Sequence, residues 1–198
     1  MLKIIKMLKI WIKGIWLIFR GRDNELVPLL GSGSEVGLLP VKGKLEILQG
    51  SYDKGIIDLE KVLETMPDDH ADRVELSAYI GMGYVGKNDY RSAKPHLLSA
   101  LEGGFKDGDF KRVDLIYNMG WILLNEREYE EAKRTFLEGD LLEPSHPDIK
   151  FGLGCVCYHL EQKKEAYQYL NDALDLEPEL INHSTMSGLL KELGGISS

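Results

Sequence analysis

Three stretches of the chain keep one spacing of small and large residues, and that spacing limits the fold more than any other feature of the sequence. IGMGYVGKNDYRSAKPHLLSAL (80–101), MGWILLNEREYEEAKRTFLEGD (119–140) and LGCVCYHLEQKKEAYQYLNDAL (153–174) each place an apolar residue before a Gly. A second apolar residue follows three positions after the Gly, an Ala twelve after it, and a large apolar residue four beyond the Ala. The glycines are Gly81, Gly120 and Gly154, and the alanines are Ala93, Ala132 and Ala166. Two short antiparallel helices per unit satisfy this pattern, because their contact faces need small residues where backbones approach and large ones where side chains fill. Apolar residues recur every three to four positions within each helix. NDY, REY and QKK supply the polar turns between helices, and Pro144 and Pro178 stop the second helix of their units. The expected fold class is therefore all-α.

With these residues in place, the three units resemble tetratricopeptide repeats, whose first helix carries the Gly, whose second carries the Ala and bulky residue, and which close on Pro. LEILQGSYDKGIIDLEKVLETMP (45–67) extends the resemblance backwards through Tyr52, Gly55, Leu59, Val62 and Pro67. Its first helix is degenerate. Gly43 is in step, but Lys42 and Glu46 occupy positions the family fills with apolar residues, and Pro40 lies near the start. The resemblance spans residues 41–178 and implies a superhelical stack of antiparallel helix pairs. Residues 179–198, through ELINHSTMSGLLKELGG, are expected to form a C-terminal capping helix ended by Gly194 and Gly195. Gly81 and Gly120 are 39 residues apart whereas Gly120 and Gly154 are 34 apart, so five extra residues sit around EGGFKDGD (102–109), with Phe105 where the family has Pro. This insertion reads as a tolerated surface loop in preference to a functional lip.

The resemblance implies that first helices line a concave face where the family binds peptides or helices. Helical offsets from each glycine give three rows: Glu75, Ala78, Met82, Val85; Asp114, Tyr117, Trp121, Leu124; Asp148, Phe151, Cys155, Tyr158. Each row begins with an acid and continues with apolar or aromatic residues. The expected partner-binding residues are Glu75, Met82, Asp114, Tyr117, Trp121, Asp148, Phe151 and Tyr158, with Trp121 the favoured energetic centre. Family members that clamp a chaperone's C-terminal carboxylate use Lys, Arg and Asn on this face. Only Asn118 is available here, with Tyr117 and Phe151 in the cation positions, so a basic, apolar peptide or helix is the better match.

Charge divides the chain. The net charge is -8, yet residues 1–22, MLKIIKMLKIWIKGIWLIFRGR, hold six cations and no acid, leaving 18 Lys and Arg against 32 Asp and Glu in the remainder. At 100° per residue the cations Lys3, Lys6, Lys9, Lys13 and Arg20 gather in one sector opposite Ile4, Met7, Leu8, Trp11, Ile12, Ile15, Ile18 and Phe19. This suits a helix lying in the lipid headgroup region, with Lys3, Lys6, Lys9, Trp11, Lys13, Trp16 and Phe19 as membrane contacts. A span is disfavoured: the 16 residues between Lys3 and Arg20 make about 24 Å of helix against a hydrocarbon core of about 30 Å, interrupted by lysines. A cleaved signal lacks its unbroken apolar core and small-residue site. Contact with a protein, including the chain's own groove, is the remaining alternative. Residues 23–40 would be a linker rich in Gly and Ser. Membrane association on the cytoplasmic side is the expected location.

No chemistry-bearing motif emerges. GSGSEVG (31–37) lacks the Gly-Lys-Ser/Thr ending of a phosphate-binding loop. The histidines at 70, 96, 146, 159 and 183 have no zinc-ligand spacing, and nucleophile contexts are missing. Cys155 and Cys157 stand about 200° apart on a helix and read as buried small hydrophobes. The acidic body argues against nucleic acid. The expectation is a non-enzymatic adaptor or scaffold without cofactor, metal or small-molecule substrate, binding a protein partner at a membrane, for instance in complex assembly. The alternatives are a structural subunit of a larger membrane complex and a soluble cochaperone.

Overall fold

A computed structural model describes residues 35–194. The segment 1–22, with its membrane contacts Lys3, Lys6, Lys9, Trp11, Lys13, Trp16 and Phe19, lies outside the described residues, as do 23–34 and 195–198. All regular elements among the described residues are helical, and none of those helices is long and apolar enough to cross a membrane. The chain divides between Asp68 and Asp69 into two compact units.

In the first unit, α1 (Glu35–Leu48) and α2 (Tyr52–Thr65) form a helical hairpin. The expected linker is shorter than 23–40, because α1 begins at Glu35 and runs through Pro40. Pro40 carries the φ a helix needs, but it lacks the N–H for the bond to the preceding turn and its ring crowds that turn's carbonyl; the helix continues across it. Gly43 and Gly55 face each other at the crossing: a Cβ on Gly55 would meet the Gly43 carbonyl oxygen at 2.8 Å. Ile47, Ile56, Leu59 and Val62 are buried around them. The two polar residues of the degenerate helix serve the same contact. Lys42 Nζ lies 2.6 Å from Asp58 and 3.5 Å from Glu46, so an ion cluster stands where the family packs hydrocarbon.

The second unit holds three hairpins: α3 (Asp72–Gly86) with α4 (Tyr90–Glu102), α5 (Arg112–Asn125) with α6 (Tyr129–Leu142), and α7 (Pro147–His159) with α8 (Lys163–Leu176). Each second helix packs on the next first helix, and first helices neighbour each other, α3 on α5 and α5 on α7. Every repeat glycine opposes the large residue four beyond the alanine. A Cβ on Gly81 would meet Leu97 at 2.8 Å, one on Gly120 the Phe136 ring at 2.5 Å, and one on Gly154 Leu170 at 2.5 Å. Ala93, Ala132 and Ala166 are fully buried beside them.

The turns repeat as closely as the crossings. Asn88, Arg127 and Glu161 have φ of 59°, 65° and 60°, and Gly50 in the first unit has φ of 80°, each seven residues after its repeat glycine. In all four the next N–H reaches back to the carbonyl five residues earlier: Ser51 to Glu46, Asp89 to Tyr84, Glu128 to Leu123 and Gln162 to Cys157, at 2.8–2.9 Å. This is a helix C-terminal cap of Schellman type. The C-terminal segment is not one helix: a 3₁₀ turn (Pro178–Asn182) precedes α9 (Ser184–Gly194). Met186 and Leu193 of α9 are buried, while Ser184, Thr185, Ser187, Lys191 and Glu192 stay exposed, giving the stack a polar end.

Candidate functional site

The first helices α3, α5 and α7 share one face, and it holds the residues the sequence rows selected. Of the twelve row residues, Ala78, Leu124, Phe151 and Cys155 are buried, which corrects the expectation that Phe151 meets a partner. The physical reason is the neighbouring helix: stacking consumes the side of each first helix that turns toward the next repeat. Phe151 is 5% exposed, with its ring 5.7 Å from Trp121 and 5.3 Å from His183 beyond the 3₁₀ turn.

Met82, Val85, Tyr117, Trp121 and Tyr158 remain partly open to solvent. Their flanks are nonetheless fixed. Tyr117 meets Trp121 edge-on at 6.2 Å and stacks on His146 at 6.3 Å, so rings from His146 to His183 run continuously across α5 and α7. Edge-to-face and offset pairs each add about 0.5–1.5 kcal/mol beyond area burial. Asn118 donates to the Asp114 carbonyl at 2.7 Å and faces the Met82 sulfur at 3.7 Å, joining α5 to α3. The Tyr158 hydroxyl donates to Glu192 of α9 at 2.6 Å. Burial first and the Asp148 charge second raise the Tyr117 hydroxyl above its ordinary value, with the Trp121 N–H acting weakly the other way. That N–H is enclosed and forms no hydrogen bond of good geometry.

The acids that open each row have a local duty as well. The Asp114 carboxylate accepts the Lys111 N–H at 2.8 Å, capping α5. Glu75 and Asp148 sit in the first turns of α3 and α7, where the helix dipole favours negative charge. They form an acidic border at one end of the aromatic strip without being reserved for a partner.

The enlarged loop is anchored. Phe105 is buried, the Phe110 ring packs 5.1 Å from Tyr79, and the Tyr79 hydroxyl donates to Asp109. Burial first, then this bond, raises the Tyr79 hydroxyl strongly. Asp107 takes the Arg112 N–H at 2.7 Å, and the Arg112 guanidinium donates to Leu101 and Glu138. Where the family has a closing Pro, α4 is closed at Gly104, whose φ is 76°, with the Phe105 N–H donating to the Ala100 carbonyl at 3.0 Å. The sequence did not show what the histidines touch: His96, His146, His159 and His183, partly buried or exposed, each lie against an aromatic ring. Among the described residues no group of three or more His, Cys, Asp or Glu side chains is placed to hold a metal.

Residues 113–146 and 147–180 match the family model described as tetratricopeptide repeat. Cilia- and flagella-associated protein 70 is 39% identical over 59 residues in both Macaca fascicularis and Homo sapiens, a match covering 30% of this chain but only 6% and 5% of those proteins. Among solved structures, YrrB, described as a TPR protein with an unusual peptide-binding site, superposes with a TM-score of 0.67 at 19% identity, covering 92% of this chain and 87% of its own. The structure described as MamA MSR-1 C2 gives 0.65 at 21% identity over 88% of this chain and 98% of its own. The likenesses at this identity concern the fold, and they agree with the matched repeats: residues 113–180 carry tetratricopeptide repeats, and the described residues form an all-α fold.

Proposed function

We propose that the chain is a non-enzymatic adaptor whose α3, α5 and α7 face docks a polypeptide, held at a membrane surface by residues 1–22. A protein-interaction role is the ordinary use of tetratricopeptide repeats, and the peptide-binding site of YrrB is a precedent on the same fold. The observation that carries the docking reading is the Tyr117 and Trp121 pair, partly open to solvent yet held by ring contacts on both sides. Preorganised aromatics lose little conformational entropy on binding and concentrate interface energy. The acidic border of Glu75, Asp114 and Asp148 favours a basic, apolar peptide or helix. The membrane part of the proposal rests on the charge and apolar sectors of residues 1–22.

Photo-crosslinking in cells from Trp121→p-benzoylphenylalanine tests the docking face. A defined polypeptide attached at position 121, and not from a probe at the exposed Gln168 of α8, supports it; equal products from both positions refute it. Vesicle flotation tests the anchor. The full chain should float with phosphatidylserine vesicles and lose this when Lys6, Lys9 and Lys13 are changed to Glu, and flotation insensitive to those changes counts against it.

A further inference from the structure

The open part of the docking face has a width as well as a chemistry. Met82 and Val85 of α3, Tyr117 and Trp121 of α5 and Tyr158 of α7 make a partly exposed strip that crosses the three helices. Glu75 precedes Met82, and Asp114 precedes Trp121, by seven residues on the same helix, a rise of about 10 Å. The acidic border of Glu75, Asp114 and Asp148 therefore runs beside the strip at roughly the diameter of one α-helix, about 10–12 Å. Asp114 spends one hydrogen bond on its helix cap and keeps acceptor capacity for a cation.

The polar groups along the strip are already engaged. The Asn118 amide donates to the Asp114 carbonyl at 2.7 Å and faces the Met82 sulfur at 3.7 Å, the Tyr158 hydroxyl donates to Glu192 at 2.6 Å, and the Trp121 N–H is enclosed. An extended ligand would bring one N–H and one C=O per residue to a surface with few partners for them. An α-helix satisfies its own backbone and asks the strip only for apolar contact. Packed helices lie about 8–10 Å apart, and α3 touches α5 through Met82 and Asn118 as α5 touches α7 through Trp121 and Phe151. A helix laid across them advances about 10 Å in seven residues, so cations at that interval meet one acid per crossing.

Resting on the docking-face reading, we infer that the partner docks as an α-helix laid across α3, α5 and α7, with a cation every seven residues over Glu75, Asp114 and Asp148. Residues one, four and five positions after each cation lie about 40–140° round that helix from it, so apolar side chains there rest on Met82, Trp121 and Tyr158. The face thereby selects the spacing of charge in its ligand and not only its sign.

The test measures binding of labelled synthetic peptides to the purified full chain by fluorescence anisotropy. The first peptide has three heptads, each with one Lys and with Leu one, four and five positions later. The second adds Pro at a solvent-facing position of the middle heptad, and the third keeps the composition but sets the lysines three apart. The first should bind, and the other two at least about tenfold more weakly. Asp148→Asn should weaken the first about two- to fivefold at low salt and leave it unchanged at high salt. Met82→Lys should weaken it, and Gln168→Lys on the exposed side of α8 should not. A second or third peptide that binds as tightly as the first overturns the helical occupant, as does indifference to Asp148→Asn at low salt. Failure of the first peptide to bind, or binding indifferent to Met82→Lys, also overturns it. In each of these cases a cellular polypeptide crosslinked from position 121 leaves the docking face standing, and the absence of one removes both.

Discussion

The ring of Phe136 fills the space a Cβ on Gly120 would need: such an atom would lie 2.5 Å from Cε1. A Cβ on Gly152 of the next first helix would also lie 2.5 Å from the same Cε1, so the ring fills the space beside both glycines. Gly120→Ala should therefore cost about 1–2 kcal/mol, overpacking outweighing the roughly 1 kcal/mol that Ala gains over Gly in a helix. Gly188→Ala in α9 is the control. Its Cβ would meet nothing within 4 Å, so this variant should gain about 0.5–1 kcal/mol. Urea titrations of the two variants check the difference in sign.

Arg127 and Glu161 hold the left-handed turn position that Gly50 fills in the first unit. A side chain there costs roughly 1–2 kcal/mol, part of which Gly returns through its looser unfolded chain. Arg127→Gly should stabilise the second unit by about 0.5–1 kcal/mol, read as a higher denaturant midpoint at constant slope. A decrease would mean that the Arg127 side chain makes a compensating contact.

The Lys42, Glu46 and Asp58 cluster makes the first hairpin sensitive to pH. Burial raises the Glu46 carboxyl above its ordinary value of 4.5, against the opposing pull of Lys42. The folded hairpin then binds that proton more tightly than the unfolded chain does. The stabilisation linked to the proton is complete below the unfolded value and is lost as pH rises through the folded one. Amide exchange over residues 43–62 should slow, after correction for intrinsic rates, as pH falls from neutral toward the unfolded value of Glu46. Glu46→Gln should flatten that dependence.

Burial pushes the Cys155 thiol up to about 12 and raises Cys157 as well. Both thiols are buried, so neither should react with a disulfide reagent at neutral pH until the chain unfolds. Two thiols titrating at once on addition of denaturant is the expected trace, and a fast native-state thiol would contradict the packing.

Much of this was legible beforehand, and the gaps have physical causes. The hairpins followed from the Gly and Ala spacing, since close crossings leave few choices of residue. The turns were read as merely polar because Arg127 and Glu161 do not announce a left-handed backbone, although they sit seven residues after Gly120 and Gly154 as Gly50 does after Gly43. Lys42 and Glu46 looked like decay of the repeat, because their partner Asp58 lies on the other helix. Phe151 was assigned to the docking face because a helical wheel gives the direction of a side chain and not the position of the helix it meets. The loop around Phe105 and Phe110 concealed its packing among glycines and charges.

The central claim is that the α3, α5 and α7 face receives a polypeptide. The most direct measurement compares proteins recovered with tagged full-length chain, with Met82→Lys on that face and with Gln168→Lys on the exposed side of α8, each checked for unchanged helicity. The account predicts that a cation at position 82 repels the basic partner, so that at least one polypeptide recovered with the unchanged chain and with Gln168→Lys is lost with Met82→Lys. Identical recoveries from all three, with the fold intact, would contradict it.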